Sequence, residues 1–177
     1  MLIVVVVACE VLFWVFLALG LSARYLLRRP RLGAVLLALS PAADLVLLTA
    51  TALDLRAGAT ATFAHGLAAI YLGFSVAYGR ALIRWADVRF AHRFAGGDAP
   101  RKKFGAAYTK ACWLHVGRSL LAVAITAAVL GLLWVLAGDP SRTQALLDAG
   151  RIAGIILLID TLWAVSYTVW PRREPRY

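Results

Sequence analysis

An all-α membrane protein of five transmembrane helices is the fold class this sequence predicts, and three observations lead there. Five apolar runs of about 20 residues follow one another along the chain, and that length at ~1.5 Å per residue matches a ~30 Å hydrocarbon core. The 177 residues are 62% hydrophobic and only 16% charged, too apolar a mixture for a soluble domain of this size. The basic residues gather between alternate runs, as they do when a chain crosses a membrane repeatedly.

The first span covers residues 2–21, broken only by Glu10, and ends before Arg24, Arg28, Arg29 and Pro30. Val6-Val7-Ala8-Cys9 faintly resembles a lipoprotein cleavage box. It has no basic region before it, and the apolar run continues past Cys9, so a retained span is expected. The second span is 32–53, the third 60–79, the fourth 114–137 and the fifth 152–170, closed by Pro171. No stretch outside them is long enough for a second domain. Cys9 and Cys112 fall at opposite faces in this scheme, so no disulfide between them is expected.

Of 19 Lys and Arg residues, 16 fall on one side, leaving only Arg56, Arg142 and Arg151 on the other. The positive-inside rule then places the N-terminus outside and the C-terminus in the cytoplasm. The net charge of +10 is thereby explained by topology, and no nucleic-acid partner is expected.

The third span continues without a breaker into a basic extension, making one helix from Phe63 to Phe94 that Gly96, Gly97 and Pro100 end. Along it Ala61, His65, Ala69, Gly73, Ala77 and Ala81 form a ridge at every fourth position. Small side chains let another backbone approach closely, so Ala69, Gly73 and Ala77 are expected packing residues and this helix the central one. In the extension, Leu82, Ile83, Ala86, Phe90 and Phe94 recur at three- and four-residue spacing, a face for lipid headgroups or for the bundle. Snorkelling arginines with Trp85 as an interfacial anchor is the simpler reading.

FAHGLAAIYLGFSVAYG, LIRWADVRFAHRF and the closing YTVWP resemble segments of the YmcC type, a family of small bacterial integral membrane proteins. The similarity covers most of the chain, from about Glu10 to Pro171. It implies a bacterial inner-membrane location and brings no catalytic residues with it.

Ionisable groups within spans are costly enough to point to function. At ~1.5 Å per residue, Glu10 is expected about 13 Å deep, Asp44 and Asp160 about 15 Å, and His65 about 9 Å from the outer ends of their helices. They define a candidate polar site in the outer half of the membrane. Ser40, Thr51 and Asp54 extend it along the second span, where Pro41 interrupts the backbone bonding beside Asp44. Tyr167, on the face of Asp160, offers that carboxylate a hydroxyl on its own helix. With no Lys or Arg at this depth, the acids must be protonated, hydrogen-bonded, paired with His65, in contact with water or bound to a cation.

His65 and carboxylates have the chemistry of metal ligands, but there is no HExxH motif and no serine or cysteine paired with a base. His115 falls near the cytoplasmic end and reads as an ordinary interfacial residue. The favoured function is binding or moving a proton or small cation. The alternatives are a non-catalytic membrane scaffold or partner subunit, and then an intramembrane metal-dependent hydrolase. No motif assigns a cofactor or metal. The expected partners are lipid and a second copy or another membrane protein, since no inverted repeat supplies a transporter's second half.

Overall fold

The computed structural model describes residues 2–25, 27, 29–94, 96–99 and 103–173, and among them there are helices and no strand. The helices are α1 (Leu2–Tyr25), α2 (Pro30–Arg56), α3 (Phe63–Phe94), α4 (Gly105–Ala137) and α5 (Gln144–Val169), with a 3₁₀ turn at Pro140–Arg142. By length and composition α3, α4 and α5 suffice to cross a membrane, with mean hydropathies of 1.4, 2.6 and 1.8.

Every helix reaches beyond its apolar run, because polar residues on the exposed side of a helix do not stop it. α4 begins nine residues before the predicted span, passing through Lys110, which is exposed. α5 begins eight residues early, through Asp148 and Arg151, which pair at 2.9 Å across one exposed turn. Pro30 opens α2 in the first turn, where its missing N–H costs nothing. Gly138, at φ 67°, closes α4 in the left-handed conformation that glycine adopts freely. Asp139 then accepts bonds from the Ser141 N–H (2.9 Å) and hydroxyl (2.7 Å), shaping the turn into α5.

α3 is the hub, touching each of the four other helices. A Cβ placed on Gly73 would lie 2.5 Å from the Ala122 carbonyl oxygen and overlap Thr126, so hydrogen is the only side chain this crossing with α4 admits. Two turns away Gly66 meets Ala149 of α5 in the same way. At the other side of the bundle α1 and α2 cross through Gly20 and Gly33, each facing the other's carbonyl.

The packing combines a few buried leucines, such as Leu55 and Leu133, with many large apolar side chains left outside. Trp134, Trp163, Leu158, Ile159 and Val135 are exposed, while Ala69, Ala122, Ala149, Ala153 and Ala164 are almost wholly buried. Fully enclosed with them are Thr51, His65, Ser119, Thr126 and Thr143. Where the solvent is as apolar as leucine, large side chains gain nothing by hiding, and helices associate through small contacts and hydrogen bonds.

The basic extension of α3 turns one face to the bundle. Ala86, with Ile83 and Phe90, packs on Leu17, Leu21 and Tyr25 of α1. Asp87 accepts from the Tyr25 hydroxyl at 3.1 Å and pairs with Arg24 at 3.4 Å. Burial, then the Asp87 contact, pushes the Tyr25 phenol above its ordinary pKa. Arg84, Trp85 and Arg89 point outward, with the Arg89 guanidinium 3.9 Å from the Trp85 ring centre.

Gly73→Leu is expected to destabilise the bundle by at least ~2 kcal/mol, lowering folded yield in detergent far more than Leu72→Ala. Equal tolerance of the two would mean that this ridge faces lipid.

Candidate functional site

Two polar clusters stand at different levels along α3, and the residues expected to form one site are divided between them. The first surrounds His65, in the opening turn of α3 and 1% exposed. The Thr62 N–H donates to its Nδ1 at 3.2 Å, with the Thr62 hydroxyl 3.0 Å away. This leaves the ring proton on Nε2, which lies 3.1 Å from Asp54 Oδ2 but off hydrogen-bonding alignment. In return the Thr62 carbonyl accepts the N–H groups of His65 (3.1 Å) and Gly66 (3.4 Å), so the imidazole completes a local cap. Charging it would require giving up the Thr62 N–H. Asp54 and His65 are therefore brought together, and Thr51, enclosed one turn before Leu55, lies on the same helix as Asp54.

Asp160 belongs to the second cluster. Its Oδ2 accepts a short hydrogen bond from Ser119 of α4. The Tyr78 hydroxyl of α3 bonds to Ser119 Oγ in turn and lies 3.3 Å from both His115 Nε2 and the His115 carbonyl oxygen. His115 Nε2 is 3.6 Å from Asp160 Oδ2. Because Ser119 donates to the carboxylate, Tyr78 must donate to Ser119, which gives a directed chain Tyr78→Ser119→Asp160 through three helices.

His65 and Asp160 do not share a level. Tyr78 stands 13 residues beyond His65 on α3, roughly 20 Å along the axis. The expected depth of Asp160 fails because α5 starts at Gln144, which puts the carboxylate about 24 Å from the beginning of its helix. Its hydroxyl partner is Ser119, whereas Tyr167 stacks edge-on against Tyr108 at 4.8 Å. α2 runs as helix through Pro41, and the side chains of Glu10, Ser40 and Asp44 lie outside the described residues. So does that of Cys9, while Cys112 is free and buried.

Serine, histidine and aspartate do meet, contrary to the expectation that no serine lies by a base. Their order is not that of an activated nucleophile, because the Ser119 hydroxyl is given to the carboxylate instead of the imidazole. Among the described residues, no three His, Cys, Asp or Glu side chains are grouped as metal ligands. Motif reading has no hold on this cluster, whose members lie about 40 residues apart on three helices. The available signal was His115 and Ser119 at i, i+4, which face the same way.

Asp160 and His115 open onto a cavity of about 380 Å³ lined also by Tyr108, Ala111, Cys112, Ile159 and Trp163. A second cavity between α4 and α5, about 350 Å³ and lined by residues such as Leu130, Trp134 and Leu146, has no ionisable side chain.

Exposed large apolar side chains, close small-residue crossings and a carboxylate satisfied inside an apolar helix define a helical integral membrane protein. No protein-family model matches the chain, and no solved structure does. Over 173 residues it is 43% identical to a Bacillus subtilis (strain 168) protein named uncharacterized membrane protein YmcC, a match covering 96% of this chain and 92% of the other. The chain belongs to the YmcC family.

Ser119→Ala is expected to cost about 1 kcal/mol, because it removes the group that joins the Tyr78 hydroxyl to the Asp160 carboxylate. Unfolding in mixed micelles measures the loss, and a stability equal to wild type would mean that the serine does not hold the carboxylate.

Proposed function

We propose that the protein spans the bacterial inner membrane five times, with its N-terminus outside, and binds or moves a proton or small cation at Asp160. The observation that carries this reading is a carboxylate set within an apolar helix, held by a hydrogen-bond chain and facing a cavity. A group needed only to join helices has no use for a cavity, whereas an exchangeable ligand does. Ser119 holds one carboxylate oxygen in place. His115, half exposed and 3.6 Å away, is placed to pass a proton between the carboxylate and the surface. His65 has no part in this, since it lies roughly 20 Å along α3 from Tyr78 and the Asp160 cluster.

Orientation follows from the distribution of charge. Reporter fusions at the N-terminus and in the 95–104 connection are expected to place the first outside and the second in the cytoplasm. An external 95–104 connection would overturn the topology.

Purified wild-type protein is expected to show thermal stability that depends on pH or on added monovalent cation, and Asp160→Asn is expected to fold yet lose that dependence. The asparagine retains the shape of the Ser119 contact without the titrating charge. A wild-type response in Asp160→Asn would make the carboxylate a structural bond between helices and the protein a scaffold.

A further inference from the structure

The cavity beside Asp160 is much larger than a proton or a bare inorganic ion needs. Its 380 Å³ equals the liquid volume of about a dozen waters, within the range of small-molecule sites. Its lining combines a carboxylate with an aromatic ring from each of two helices, Tyr108 of α4 and Trp163 of α5, and the apolar side chains of Ala111 and Ile159.

The rings are held in place independently of any ligand. Tyr167 stands between them, 4.8 Å from Tyr108 and 5.5 Å from Trp163 between ring centres. Its carbonyl accepts from Thr109 at 2.9 Å, and the Trp113 N–H donates to Thr168 at 3.0 Å, fixing α4 to α5 at this level. Tyr108 already takes a cation, since the Arg172 guanidinium lies 5.2 Å from its ring centre. Arg172 is exposed, so its charge is screened at the rim, whereas the Asp160 side chain is only 21% exposed. Inside the cavity the carboxylate is therefore the less screened charge.

Aromatic rings, a carboxylate and apolar walls, with the His115 imidazole at the edge, are a combination that recognises an alkylated ammonium group. The rings attract the spread positive charge that a hydrated metal ion does not present, and the walls accept its alkyl substituents. We propose that this cavity binds a monovalent organic ammonium ion with small apolar substituents, its charge facing Asp160 and its substituents against Tyr108 and Trp163. This rests on the cation-binding reading of Asp160 and narrows it to a class of ligand.

Tetraethylammonium titrated into the purified full-length protein, followed by calorimetry, tests the assignment. Saturable binding is expected that an equal concentration of sodium does not compete away. Asp160→Asn should weaken it about tenfold or more, and Trp163→Leu about three- to thirtyfold. Trp163 is 56% exposed, so its truncation leaves the core intact. Should Asp160→Asn abolish the response to pH while tetraethylammonium fails to bind wild-type protein, the ammonium assignment falls and the proton reading stands. Should tetraethylammonium bind Asp160→Asn or Trp163→Leu as tightly as wild type, the site is not the one described and the assignment is wrong. If wild type neither responds to pH or cations nor binds the probe, both readings fall together.

Discussion

The contact of Gly73 with the backbone of α4 sets the geometry of the bundle. With no side chain at that point, α3 lies directly against Ala122 and Thr126, and the Thr126 hydroxyl reaches the Ala69 carbonyl at 3.4 Å. From there α3 runs one way to Gly66 on α5 and the other way to Tyr78 on Ser119. The helices are antiparallel here, so five residues along α3 from Gly73 correspond to three back along α4 from Ala122. A methyl group at Gly73 would push the axes apart and carry Tyr78 away from the serine that orients Asp160. Packing in this protein therefore decides electrostatics, because lipid offers a displaced polar group no replacement partner.

The polar groups separate into those enclosed by their partners and one that also opens onto a cavity. His65 is enclosed and answered by Thr62 within its own first turn, so its polarity is spent on the helix end. Asp87 with Arg24 and Tyr25 fastens the basic extension of α3 to α1. Asp160 differs from both. It is bonded on one side to Ser119 and open on the other to a cavity with His115 at its edge. Its hydrogen-bond chain also ties three helices together, so a change in the charge of this carboxylate acts on the seam where they meet.

What the sequence made legible follows from periodicity. Helix α3 has the predicted limits, Phe63 and Phe94, because no glycine pair or proline interrupts that stretch, and its small-residue ridge is buried at Ala61, His65, Ala69 and Gly73, while Ala77 and Ala81 are partly exposed. Membrane character was equally plain from the apolar runs. The placement of Asp160 was not, since hydropathy locates apolar residues and α5 starts in a polar stretch where Asp148 and Arg151 satisfy each other. With α5 starting eight residues earlier than expected, the carboxylate lies about 24 Å instead of about 15 Å from the start of its helix, enough to give it other companions. Tyr78, His115 and Ser119 were overlooked for a different reason. Each reads alone as an ordinary helical residue, and only the crossing of α3 over α4 makes them neighbours. The Gly20–Gly33 crossing was hidden likewise, because neither glycine belongs to a repeated small-residue pattern.

Under the proposed function, Asp160 changes its protonation while the helices remain folded. Infrared difference spectroscopy of the protein in lipid bilayers, stepped between acid and alkaline pH, observes this directly through the carbonyl stretch of a protonated carboxyl group. The wild-type spectrum is predicted to contain a carboxylic-acid band that disappears in Asp160→Asn, with the amide bands of the two proteins unchanged. A pH-difference spectrum identical in wild type and Asp160→Asn would contradict the account.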